Sequence, residues 1–237
     1  MNQLQHAEEF REILKSYAMS EHSKQLLLQT PFVMLSAITA SGRNTILEEL
    51  LKTNQFYTVV SDTTREKRVN DGILEKDGLQ YWFRSEEEVL ERLKQGKYIE
   101  AALIHDQQVS GLSIEEFEKA SKLHKIAMSD LEVQGVDVIM KANPQAIAIF
   151  VVPPSYDEWL LRWARRGVIP EVEKQHRIDS ARKELQVALS KNYYHFVIND
   201  ALPEVVQDIV QIAHGESIAD KERAARNVAE HILDHLQ

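Results

Sequence analysis

The chain has 237 residues, 43% apolar and 27% charged, with 28 Lys and Arg against 37 Asp and Glu for a formal net charge of −9. It contains no cysteine, which excludes a disulfide scaffold, a thiol nucleophile and any Cys-ligated zinc or iron–sulfur centre. The acidic balance argues against broad nucleic-acid binding, yet leaves room for a local basic pocket that takes a phosphorylated small molecule.

In chain order, residues 1–10 are polar and lack the apolar stretch of a signal peptide, so a cytoplasmic protein is expected. Phe10, Ile13, Leu14 and Tyr17 share one helical face, which places a helical extension over residues 1–30. Pro31 ends it, because the residue before proline is pushed out of the helical region. Phe32–Leu35 is an apolar run of buried-strand type, followed by a small-residue loop and by Ile46, Leu47, Leu50 and Leu51 at helical spacing. Further strands are expected at Thr58–Val60, Lys125–Met128, Ala146–Val152 and Phe196–Ile198. Helices are expected at Glu86–Gln95, Ile114–Leu123 and Tyr156–Leu189. The longest apolar run, 146–154, is far too short to span a membrane. Residues 219–237 carry Ala225, Val228, Ala229, Ile232, Leu233 and Leu236 on one helical face. Either terminal helix could dock a second copy of the chain, although packing on its own domain explains its apolar face as well. Strands alternating with helices predict an α/β fold with a mainly parallel sheet, and such sheets bind ligands beyond the carboxyl ends of their strands.

Two stretches carry chemistry. Ala37-Ile38-Thr39-Ala40-Ser41-Gly42-Arg43-Asn44-Thr45 has the spacing and the strand-loop-helix context of the phosphate loop G-x-x-x-x-G-K-[ST], with Gly42 the literal match. Loop N–H groups and the positive end of the following helix would hold phosphate there, with Arg43 as the cation and Asn44 where a hydroxyl meets magnesium. A ligand-free turn of small residues would read the same way. The second stretch is Ser61-Asp62-Thr63-Thr64-Arg65-Glu66-Lys67-Arg68, whose two arginines suit a phosphate through bidentate bonds. It keeps company with Gly78-Leu79-Gln80-Tyr81-Trp82-Phe83, Glu100, the run Asp130-Leu131-Glu132-Val133-Gln134-Gly135-Val136, and Val197-Ile198-Asn199-Asp200.

That ordered set resembles the guanylate kinase family, which moves the γ-phosphate of ATP onto GMP, and the resemblance runs from about Phe32 to about Gly215. It implies an α/β P-loop nucleoside monophosphate kinase fold: a kinase-like domain at 31–215, with a small GMP-binding region at 58–113 and a lid at 155–185, followed by a C-terminal helix at 216–237. It implies ATP and Mg2+ as well, with GMP and ATP as partners and no nucleic acid or membrane. By this resemblance Ser61, Arg65, Arg68 and Tyr81 hold the GMP phosphate. Glu100 accepts from the guanine, and Glu132 stands where the family has a second guanine-side carboxylate. Ser110 and Leu112 stand where the family has a tyrosine and a serine or threonine, and Ser113 could substitute by a shift of register. Arg162, Arg166 and Arg177 match arginines of the lid, with Gly167 easing its hinge, while Ala164 replaces another beside Arg165. Asn199 corresponds to a residue near adenine. Asn44 and Asp130 are the protein groups expected near the metal.

The chain departs from the family where catalysis is most sensitive. Two of the three loop glycines are Ala37 and Ala40, and a residue held at positive φ costs roughly 1–2 kcal/mol more as alanine than as glycine. Arg43 is a guanidinium fork where the family has a lysine point charge. Two other readings therefore stay open: a non-catalytic binding module for a nucleotide or phosphopeptide, and a kinase with a different phosphorylated acceptor.

Overall fold

The computed structural model describes residues 4–70, 72–104, 106–165 and 171–236. The chain opens with α1 (Ala7–Lys15), α2 (Glu21–Gln29), β1 (Phe32–Ala37) and α3 (Arg43–Lys52). The short strands β2 (Phe56–Thr58), β3 (Asp62–Thr63), β4 (Val69–Asn70), β5 (Ile73–Leu74) and β6 (Trp82–Phe83) precede α4 (Glu86–Lys94). Then come β7 (Tyr98–Ile104), β8 (Gln108–Ser113), α5 (Ile114–Lys122), β9 (Ile126–Asp130) and α6 (Val133–Ala142). The chain continues with β10 (Ile147–Val152), α7 (Tyr156–Ala164), α8 (Glu171–Ser190) and β11 (Tyr194–Ile198), and ends with α9 (Leu202–Ala213) and α10 (Ala219–Asp234). These elements form two compact units, one of Met1–Pro31, Tyr57–Ala127 and Lys141–Pro144, the other of Phe32–Phe56, Met128–Met140 and Gln145–Gln237.

The first unit is built on a four-stranded sheet of order β6-β3-β8-β7, antiparallel at β3/β8 and β7/β8 and parallel at β3/β6. Neither β7 nor β8 was anticipated, because Glu100 and Ser110 interrupt their apolar pattern. The N-terminal helices belong to this unit's core. Phe10 and Leu4 are buried with Val89, Leu90, Leu93, Tyr98 and Val109, and Ile13, Leu14 and Tyr17 pack against them. The Tyr17 hydroxyl donates to the Tyr98 carbonyl at 2.7 Å and accepts from its N–H at 2.9 Å, which closes the edge of β7. Helix α4 begins on a capping box between Ser85 and Glu88, the reciprocal arrangement that satisfies two orphan donors of a helix start.

A five-stranded sheet of order β11-β10-β1-β9-β2 forms the base of the second unit, with β1/β10 and β10/β11 parallel. Strand β10, sequence IAIFVV, is buried along almost its whole length, as expected of a parallel strand covered on both faces. Helix α10 packs on β11 and α8, so its apolar face is buried at home: Ala225, Ala229 and Ile232 are each at most 1% exposed. The expected helix over Tyr156–Leu189 is two helices. The first ends at Ala164 and the second begins at Glu171. The strand expected at Thr58–Val60 lies at Phe56–Thr58 instead, because the Val60 N–H donates to the Glu116 carboxylate at 3.1 Å and so leaves the ladder.

Candidate active site

In the second unit β1 ends at Ala37 and the chain turns through residues 38–42 into α3. The turn has the backbone of an anion cradle. Gly42 caps α3 at φ 85° without a side-chain bond, and Ala40 sits at φ 65°, in the left-handed region that disfavours an L side chain. The first N–H groups of α3 have no intrahelical acceptor and form the positive end of the helix dipole. Side chains from outside the loop hold it. The Trp159 indole donates to the Thr39 carbonyl at 2.6 Å, and the Asn199 amide donates to the Ser41 carbonyl at 2.8 Å. A Cβ added at Gly42 would lie 2.3 Å from that amide nitrogen, so a side chain there would have to displace Asn199 as well as adopt a positive φ. Asn199, the residue expected beside adenine, braces the loop.

A cavity of about 210 Å3 opens beside this turn, lined by Ala37, Thr39, Arg43, Glu132 and Glu184 among others. Arg43 pairs with Asp130 at 2.9 Å. Glu184 on α8 is pushed up to about 7: burial raises it most, the Arg43 charge opposes that, and Glu132 adds to it. Asn44 and Thr45 are exposed on the first turn of α3, and Ile38 is buried beneath the loop. The donor set suits a hard cation that arrives on phosphate oxygens, since Mg2+ needs only one or two protein oxygens when phosphates and water supply the rest. The Asn44 amide and the Asp130 carboxylate, both at the solvent edge, are of that kind.

Of the arginines expected in a lid, Arg162 on α7 pairs with Glu158 at 2.9 Å and Arg177 on α8 with Glu173 at 2.8 Å. Both partners lie one turn back on the same helix, which leaves the guanidinium ends reorientable. Arg166 and Gly167 lie outside the described residues.

The acceptor candidates of the first unit centre on Glu75, a residue the sequence did not single out among the acids near it. The Arg65 guanidinium grips both Glu75 oxygens, at 2.5 and 2.8 Å, and the Arg68 N–H donates to the same carboxylate at 2.8 Å. These donors hold Glu75 down to about 2. The guanidinium carbon of Arg65 lies 4.8 Å from the centre of the Tyr81 ring, and its side chain is only 10% exposed. Arg65, Glu75, Tyr81 and the Arg68 backbone therefore form one pre-organised cluster. Ser61 stands at its edge, its carbonyl accepting the Trp82 N–H at 2.9 Å.

Behind the cluster the carboxylate of Glu116, 1% exposed, gathers the Tyr57 hydroxyl, the Val60 N–H, the Trp82 indole and the Lys119 ammonium. It ties the strand before Ser61 to the strand after Tyr81, a role that linear spacing does not reveal. Of the guanine-side candidates in this unit, Glu100 is half-buried opposite Leu112 on β7 and β8. Leu112 itself is fully buried. The Ser110 hydroxyl is buried with no hydrogen-bond partner among the described residues. Ser113 is 2% exposed at the start of α5. Glu132, the remaining guanine-side candidate, belongs to the second unit.

Comparison with known proteins agrees with this geometry. The model of the family described as guanylate kinase matches residues 29–216. The chain is 32% identical over 192 residues to "Guanylate kinase" of Desulfitobacterium hafniense, covering 81% of this chain and 92% of that protein. It is 31% identical over 183 residues to "Guanylate kinase 1" of Oryza sativa, 76% of this chain, and spans about half of that relative's length (47%). The crystal structure of guanylate kinase from Anaplasma phagocytophilum shares the fold, with a TM-score of 0.58 at 24% identity over 81% of this chain and 89% of that one. With four-fifths of its length matched by one family model, and with a relative 32% identical over most of both chains, the chain belongs to the guanylate kinase family.

Proposed function

We propose that this protein transfers the γ-phosphoryl group of ATP to GMP, giving ADP and GDP. An oxygen of the GMP phosphate forms the new bond to the γ-phosphorus as the bond to the ADP oxygen breaks. The observation that carries the reading is the backbone of residues 37–43, with Ala40 and Gly42 both at positive φ ahead of a helix start. Ala40 takes this left-handed φ although it is not glycine.

In this reading Ser61, Arg65, Arg68 and Tyr81 bind the acceptor phosphate, with Glu100, Ser110, Ser113 and Glu132 on the guanine side. Arg43 and the loop N–H groups bind the donor, Asn199 lies on its adenine side, and Arg162, Arg166 and Arg177 neutralise charge on the group in flight. Phosphoryl transfer is mostly positioning plus electrostatics of this kind. Bound Mg2+ would supply further charge neutralisation, and Asn44 and Asp130 are the residues that would hold it. The protein acts on small nucleotides in the cytoplasm, without nucleic acid or membrane; no described helix is long and apolar enough to cross a bilayer. A homodimer through the terminal helices gains no support from their apolar faces, which are buried within their own units.

A second reading, a nucleotide- or phosphopeptide-binding module without turnover, is favoured by one contact: the ion pair that engages Arg43 with Asp130. A coupled ADP-release assay decides between them. The kinase reading expects ADP formation that requires GMP; no turnover with GMP, dGMP or any other monophosphate would end it.

A further inference from the structure

Trp159 is fully buried, yet its polar atom is aimed at the one loop where backbone direction matters most. A trans peptide is planar, so its C=O and the following N–H point in opposite directions. The bond from the Trp159 indole to the Thr39 carbonyl therefore fixes where the Ala40 N–H points. The bond from Asn199 to the Ser41 carbonyl does the same for the Gly42 N–H. Neither N–H finds an acceptor among the described residues; within the turn, the Ser41 N–H instead closes back on the Ile38 carbonyl at 3.2 Å. Two peptide planes are thus set by side chains from α7 and the end of β11. Between them sits Ala40, the residue least suited to its own φ.

We propose that Trp159 is a positioning residue of the donor-phosphate loop: its indole N–H turns the Thr39–Ala40 peptide so that the Ala40 N–H faces a bound polyphosphate. An alanine is tolerated at residue 40 because this bond holds the conformation that glycine would adopt unaided. The indole is itself locked, with the Trp163 ring 5.3 Å and the Tyr156 ring 6.0 Å from it between centroids, and Tyr156 stacked on His235 at 4.7 Å. The inference rests on the kinase reading only in naming ATP as the polyphosphate.

Trp159→Phe keeps an aromatic ring and deletes the donor. In the ligand-free protein, amide exchange over residues 37–45 should quicken about tenfold, the order expected for loss of one neutral hydrogen bond. Exchange in the first unit should not change. In the enzyme, the same variant should raise KM for ATP about tenfold and leave KM for GMP within twofold. Adding Ala40→Gly to Trp159→Phe should recover most of the ATP loss, which repair of a loosened core would not do. Unchanged loop exchange overturns the proposal, as does a loss shared equally by both substrates or one that glycine at residue 40 does not relieve. Absence of ATP turnover in the wild-type protein would sink the kinase reading instead, and loop exchange would still decide the role of Trp159.

Discussion

The two candidate anion sites are held in opposite ways. In the first unit the proposed acceptor residues hold each other, since Arg65, Glu75, Tyr81 and the backbone of Arg68 form one cluster whose members are each other's partners. In the second unit the loop has few contacts of its own and is held from outside by Trp159 and Asn199. The difference shows where sequence drift is tolerated. A self-contained cluster fails when any member is lost. A cradle built mainly of backbone N–H groups depends less on side-chain identity, so its glycines can be replaced while outside braces preserve its shape.

The largest break should come from Arg65→Ala, which removes an acceptor-phosphate fork and strands a buried Glu75. We expect kcat/KM for GMP to fall about 100-fold or more, from the loss of charged hydrogen bonds of about 1.5–3 kcal/mol each, with KM for ATP little changed. Steady-state kinetics in both substrates checks this; equal effects on the two would contradict the assignment. Gly42→Ala attacks the other site through both space and φ. It should displace Asn199 and raise KM for ATP roughly 30-fold, the equivalent of about 2 kcal/mol, without touching GMP.

Glu184 gives a pH test of the second unit alone. Its carboxyl sits near 7 in the folded chain against an ordinary 4.5. Below 4.5 both folded and unfolded states are protonated. Between 4.5 and 7 the unfolded chain releases a proton that the folded one keeps, so stability declines as pH rises. Glu184→Gln should therefore stabilise by about 1–3 kcal/mol near pH 8 and not at all near pH 4, as read by denaturant unfolding. The smallest effect is expected from Ala40→Gly in the otherwise native chain. Relief of positive-φ strain worth about 1 kcal/mol should lower KM for ATP about fivefold; a rise would mean that the loop has been rebuilt around the methyl group.

The sequence was most legible where chemistry is written in consecutive residues. The strand-loop-helix at 32–52 and the pair Arg65 and Arg68 were readable from spacing, and so were the apolar faces of both terminal helices. What escaped depends on residues far apart in the chain. Glu75 was one acid among several until the fold set it against Arg65, and Glu116 looked like an ordinary first-turn acid of α5. Trp159 was not singled out, because nothing local reveals that its indole reaches a carbonyl 120 residues away. Strands β7 and β8 were hidden because Glu100 and Ser110 interrupt the alternation that would have announced them.

Calorimetric titration with a non-hydrolysable ATP analogue tests most directly whether the altered loop still serves as the donor site. The account predicts saturable one-to-one binding that survives Arg65→Ala and is weakened by Gly42→Ala. Heat from GMP with none from the ATP analogue would contradict it and leave a protein that holds an acceptor but receives no donor.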